Sequence, residues 1–192
     1  MTTTLVHTAG QTVAVHGSEV VVRSLVEASG GPDRVGGTIG EQPDVVLEVE
    51  AVRRPFTVHG FEVVTRGVWA NGGGEVVLED VGGSGFDQRW TIDVDGLHVT
   101  SRWRPPHQAL AAARLLPARH RALSGQVLLH YPALWFAVQR GCVPLHVSMV
   151  EVGGVAVLLA GPGGVGKSTL VARALADGAR ASCDNVAVCN AV

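Results

Sequence analysis

Short apolar runs recur through the first hundred residues. Val20–Val22, Val45–Val49, Phe61–Val64 and Glu75–Leu78 are separated by the turn clusters 29–33, 71–74 and 81–85. Runs of this length between Gly/Pro/Asn/Asp clusters predict strands. The clearest hairpin is Arg89–Val94, then Asp95-Gly96, then Leu97–Thr100. Trp90, Ile92 and Val94 alternate with polar positions, and Asp-Gly suits a type I′ turn. Residues 1–104 therefore predict a small antiparallel β-rich domain.

The pattern changes at residue 105. Pro105 and Pro106 end the strands and open a helix over 108–116, which Pro117 stops. A second helix is expected over 125–140 with Gly141 as its stop, and Trp135 and Phe136 would pack it onto the sheet that follows. Residues 105–141 thus read as a helical connector. From 142 the pattern is strand Val143–Val152, the two-residue turn Gly153-Gly154, strand Val155–Ala160, a glycine-rich loop and a helix ending at Asp177-Gly178. A last strand, Arg180–Cys189, carries Asp184 within it.

Composition places the chain among globular proteins: 192 residues, 46% hydrophobic and 17% charged. No apolar run approaches a membrane span, and the N-terminus lacks the basic and apolar regions of a secretion signal. Cys142, Cys183 and Cys189 lack metal-type spacing and read as reduced thiols of a cytoplasmic protein. His7, His16, His59 and His98 are scattered and read as surface or core histidines. A net charge of −2 argues against general affinity for nucleic acid or acidic membranes. The charge is uneven, however: residues 1–105 hold 8 Arg against 14 acids, and residues 106–192 hold 7 basic residues against 3 acids.

The basic half holds the one chemical motif. Gly161-Pro162-Gly163-Gly164-Val165-Gly166-Lys167-Ser168 satisfies G-x-x-x-x-G-K-[ST], between an apolar run and a helical pattern beginning Ser168-Thr169-Leu170. Glycines let successive backbone N–H groups turn toward an anion, and the following helix aims its N-terminus at the same phosphates. Lys167 would add a point charge on the β/γ-phosphates and Ser168 a hydroxyl for Mg²⁺. Of the 15 basic residues, 14 are Arg, and the single Lys is Lys167. A compact ammonium suits the inside of a loop where a guanidinium does not.

Phosphoryl transfer also needs a held metal and often a carboxylate for the nucleophile's proton. After residue 105 only Glu151, Asp177 and Asp184 qualify. Glu151 lies beside the hairpin turn and Asp177 in the last turn of the helix, both far from the loop. Asp184, on the returning strand, is by elimination the candidate magnesium ligand or base, and the Asn185 amide beside it could ligate or orient.

The run Leu145–Ser148, Val152–Thr169 and Cys183–Val188 resembles the catalytic domain of the HPr serine kinase/phosphorylase family, whose relatives include lasso-peptide kinases and, more distantly, ATP-dependent phosphoenolpyruvate carboxykinases. The antiparallel hairpin into the loop is shared with them. The resemblance covers residues 142–192 and is incomplete, because the family pattern continues with further strands, a substrate loop and a glycine-rich segment.

The chain as a whole reads as an α+β protein, and the resemblance implies the role of its last segment. A β-rich domain (1–104) and helices (105–141) precede a P-loop, kinase-like nucleotide-binding segment (142–192). Gly161, Pro162, Gly163, Gly164, Val165, Gly166, Lys167, Ser168 and Thr169 would bind ATP, with Mg²⁺ on Ser168 and Asp184. His146 matches a family histidine near the phosphates and would polarise a phosphate or orient the acceptor. Asp184 matches the first acid of an Asp-Asp pair serving magnesium and the serine hydroxyl, and Asn185 replaces the second. The implied activity moves the γ-phosphoryl group to a Ser hydroxyl of a protein or peptide, in a chain with room to form a homo-oligomer. The alternatives are a non-catalytic nucleotide-binding and interaction module, or an ATPase or carboxykinase-like enzyme acting on a small molecule.

Overall fold

An eight-stranded mixed sheet and its covering helices form the first of two units, Met1–Phe136, and two small sheets with one helix form the second, Ala137–Val192. The computed structural model describes residues 1–31, 42–94, 96–183 and 186–190, with backbone only at 181 and 182.

The first unit opens with a hairpin, β1 (Thr2–Thr8) and β2 (Gln11–Gly17), joined by Ala9 and Gly10, both at positive φ. Helix α1 follows over Glu19–Ala28. This corrects the strand expected at Val20–Val22. Ser18 caps the helix by accepting from the Val21 N–H at 3.4 Å, Glu19 faces the helix N-terminus, and Val22 and Leu25 fall on one buried stripe. Capping and the three-residue spacing override the β preference of a valine run. The helix ends on Gly30 at φ 112°, with Gly31 N–H donating to the Val26 carbonyl, a Schellman turn.

The strands β3 (Val45–Glu50), β4 (Glu62–Thr65), β5 (Val68–Ala70), β6 (Glu75–Leu78), β7 (Phe86–Ile92) and β8 (Leu97–Trp103) complete a sheet of order β1-β2-β3-β8-β7-β6-β5-β4. It is mixed rather than wholly antiparallel, because β3 pairs in parallel with both β2 and β8. A helix between β2 and β3 supplies the crossover that parallel neighbours need. The β7–β8 hairpin forms as expected, but Ile92 pairs with Leu97, so the connection spans 93–96 and Val94 is fully exposed instead of continuing the strand. Asp95 lies outside the described residues.

Helices α2 (His107–Leu115), α3 (Pro117–Gly125) and α4 (Tyr131–Gln139) follow, with a π-helical turn over Gln126–His130 between α3 and α4. Pro117 therefore ends one helix and opens the next, the position proline favours. The π turn lies just before Pro132, which has no N–H for the helical ladder. Val127, Leu128, Leu129, Ala133 and Phe136 share one core with Val13, Val15, Leu47, Leu97 and Val99 of the sheet. Phe136 thus packs on the sheet that precedes it in sequence, and Trp135 meets Trp90 edge-on at 5.6 Å. Buried Gln88 ties sheet to helix: its amide donates to the Val127 carbonyl at 2.9 Å and accepts from Trp90 Nε1 at 2.9 Å. Both of its polar ends are satisfied, as burial requires.

In the second unit the expected strand 143–152 divides at His146 into β9 (Cys142–Leu145) and β10 (Val147–Val152). β11 (Val155–Ala160) leads to α5 (Lys167–Ala176), then β12 (Arg180–Cys183) and β13 (Ala187–Asn190). The strand expected over 180–189 is likewise two strands. β12 joins β11 and β10 in the order β11-β10-β12, and β13 pairs with β9. Among the described residues β11 is an edge strand, and most of it is exposed. No helix is long and apolar enough to cross a membrane among the described residues.

Candidate phosphate-binding site

The hairpin that feeds the loop has the predicted antiparallel pairing. Val152 stands opposite Val155 and Val147 opposite Ala160, with Gly153 and Gly154 at φ 58° and 79° in the turn. Two consecutive positive φ values make the tight type I′ connection that matches strand twist. This register decides what lies near Gly161. His146 is one residue beyond the Val147–Ala160 pair, so it sits at the same end of the hairpin as the loop. It is exposed and has no hydrogen-bond partner among the described residues.

The loop 161–166 leaves β11 and becomes the N-terminus of α5. Gly164 and Gly166 have φ of 78° and 99°, values that an L side chain rarely adopts. A Cβ placed on Gly163, Gly164 or Gly166 would meet no heavy atom within 4 Å, so one side of the backbone is open to a ligand. Gly166 is the N-cap residue of α5 and has no side chain to satisfy the first helical N–H groups. Those N–H groups and the helix dipole form an anion site without further devices. The Val165 N–H closes the loop on the Pro162 carbonyl at 3.4 Å.

Lys167, the first residue of α5, folds back over the loop. Its Nζ donates to the Gly161 carbonyl at 2.8 Å and the Pro162 carbonyl at 3.2 Å. The ammonium has three donors, so two carbonyls leave one for a phosphate oxygen. Ser168 and Thr169 follow on the first turn, both exposed. The residues present fit a phosphate group: the helix start has no side-chain cap, a cation stands beside it, and glycine leaves the approach clear.

The metal site is less complete. Among the described residues no three His, Cys, Asp or Glu side chains come together. Glu151 pairs with Ala156 across the hairpin, toward its Gly-Gly turn, and lies 3.9 Å from Arg180. Asp177 caps the far end of α5, about 15 Å of helix from Lys167. Both carboxylates thus stand where the sequence reading put them, away from the loop. Asp184 and Asn185 lie outside the described residues. β12 runs antiparallel to β10, so it heads toward the loop end and reaches Cys183 opposite Met149.

The scattered histidines also have local explanations. His16 Nδ1 meets Thr3 Oγ1 at 2.9 Å, and His7 Nδ1 meets Thr12 Oγ1 at 3.3 Å. The first unit nevertheless contains a cavity of about 420 Å³ that no motif announces, because its walls come from α1, β3, β7, β8 and α3, far apart in sequence. Comparison with protein-family models, with curated proteins and with solved structures finds no match to this chain.

Proposed function

We propose that residues 161–169 bind the phosphates of ATP and that the chain is an HPr-kinase-like phosphotransferase acting on a serine hydroxyl of a protein or peptide. The observation that carries the reading is the loop itself. Lys167 Nζ sits on the Gly161 and Pro162 carbonyls, at the mouth of an open glycine backbone that runs into an uncapped helix N-terminus. In this reading Ser168 and Asp184 hold Mg²⁺. His146, at the loop end of the hairpin, orients the acceptor or polarises a phosphate. The serine oxygen bonds to the γ-phosphorus as the bond to the bridging oxygen of ADP breaks, and the serine proton passes to Asp184.

A second reading is favoured by a specific feature. Both described carboxylates of the second unit lie away from the loop, so nucleotide binding without transfer needs fewer residues than catalysis does. Incubation with γ-labelled ATP and serine peptides separates the readings. Label on peptide supports the kinase, labelled free phosphate alone supports an ATPase or carboxykinase-like enzyme on a small molecule, and binding without either supports a nucleotide-binding module.

A further inference from the structure

The cavity of the first unit is lined chiefly by apolar side chains, among them Val21, Leu25, Phe86 and Leu128, and its volume of about 420 Å³ falls within the range of small-molecule sites. Two of its lining residues, Trp103 and His120, carry ring nitrogens with no hydrogen-bond partner among the described residues. Trp103 Nε1 and His120 Nε2 are buried and unpaired. The two rings meet edge-to-face at 5.7 Å, so the unpaired nitrogens belong to one patch of wall. Orphaned buried donors are rare and costly in folded proteins. Trp Nε1 can only donate, and burial holds the His120 imidazole pKa below its usual value, so one tautomer donates from Nε2 as well. Trp103 Nε1 therefore asks for an acceptor, and the Nε2–H tautomer of His120 offers a second donor beside it.

Charge points the same way. Glu50 lines the cavity, but its carboxylate is taken by Arg102 Nε at 2.6 Å. Arg53 also lines it, is exposed, and has no partner among the described residues. A free cation, two unpaired donors and apolar walls match a ligand with an apolar body and an acceptor-only, negatively charged head.

We infer that this cavity binds a small apolar carboxylic acid, with the body against Leu25, Phe86 and Leu128 and the carboxylate served by Arg53 and by the Trp103 and His120 ring nitrogens. Each nitrogen has under 1 Å² of accessible area, so entry of the acid shifts the two rings and binding changes the Trp103 environment. The inference is independent of the phosphate loop.

Decanoate is a suitable probe, titrated into the full chain by calorimetry and by tryptophan fluorescence, with decanol as the uncharged control. Saturable one-to-one decanoate binding is expected, with a fluorescence change that Trp103→Phe removes. Ser24→Trp, which fills the cavity from α1, should weaken binding by about tenfold. Val20→Trp, at an exposed lining position, does the same if Ser24→Trp does not fold. Arg53→Gln should weaken decanoate about threefold and leave decanol unchanged. The inference is overturned if the wild-type chain shows no saturable binding, if both filling variants bind decanoate as tightly as wild type, or if Arg53→Gln affects acid and alcohol alike.

Discussion

Lys167 Nζ lies 2.8 Å from the carbonyl oxygen of Gly161, six residues earlier, so the lysine that begins α5 is held across the loop that β11 ends in. The contact links strand end and helix start through one charged side chain. It also explains why the single lysine of the chain is here. A guanidinium at the same place would have to fit its planar fork between two carbonyls meant for a compact ammonium.

The open side of the loop should be sensitive to single methyl groups. Gly164 and Gly166 stand at positive φ with free space where a Cβ would go. Alanine at either position is accommodated sterically in the chain alone, at about 1 kcal/mol of backbone strain. In the proposed site it would also intrude on the phosphates. Gly164→Ala and Gly166→Ala should therefore lower ATP affinity by about tenfold or more while moving the thermal midpoint by only a few degrees. Titration calorimetry beside a melting curve checks the split. A large loss of stability with unchanged affinity would place these glycines in a purely structural role.

The packing of α1 on α3 rests on a different glycine. A Cβ on Gly125 would stand 2.7 Å from the Cβ of Ala28, closer than two carbons can approach. Gly125→Ala should destabilise the chain by about 1–3 kcal/mol. Ala28→Gly should recover part of this in the double variant, despite glycine's lower helix propensity. Urea unfolding of the four proteins measures the coupling, and strictly additive effects would contradict the contact.

Much of the second unit was legible in the sequence because its signals are local. Gly153-Gly154 specifies its turn, Gly178 at φ 89° ends α5 in a Schellman turn, and the glycines of the loop follow one another within six residues. The misreadings fall where a distant partner decides. The Val20–Val22 run is helical because Ser18 caps it and because Val22 and Leu25 both find the core. β3 takes its place between β2 and β8 through contacts more than thirty residues away in sequence, which no period in its own six residues encodes. His146 breaks one expected strand into two that join different sheets, and the Trp103–His120 cavity wall joins a strand to a helix.

Two half-buried histidines make stability depend on pH. Burial lowers the pKa of both His120 and His130 below 6.5 in the folded chain. His120 faces the Phe86 and Trp103 rings, His130 Nδ1 meets the Thr8 hydroxyl at 3.2 Å, and among the described residues neither pairs with an acid that would hold its proton. The unfolded chain takes up these protons near pH 6.5 and the folded chain resists them. Stability contributed by the neutral rings is present above pH 6.5, falls as pH drops, and levels off below the folded pKa. The urea midpoint should decline between pH 7.5 and 5.5. In a His120→Phe, His130→Gln variant the decline should be smaller, and an equal decline in both proteins would count against the assignment.

Titration of magnesium-ATP into the full chain and into Lys167→Ala probes the proposed nucleotide site at residues 161–169, with Lys167 as its charged contact. The wild-type protein should bind saturably and the variant at least about a hundredfold more weakly, as expected for removing a charged hydrogen-bonding partner of a phosphate. Equal affinity in the two proteins would rule out Lys167 as that contact.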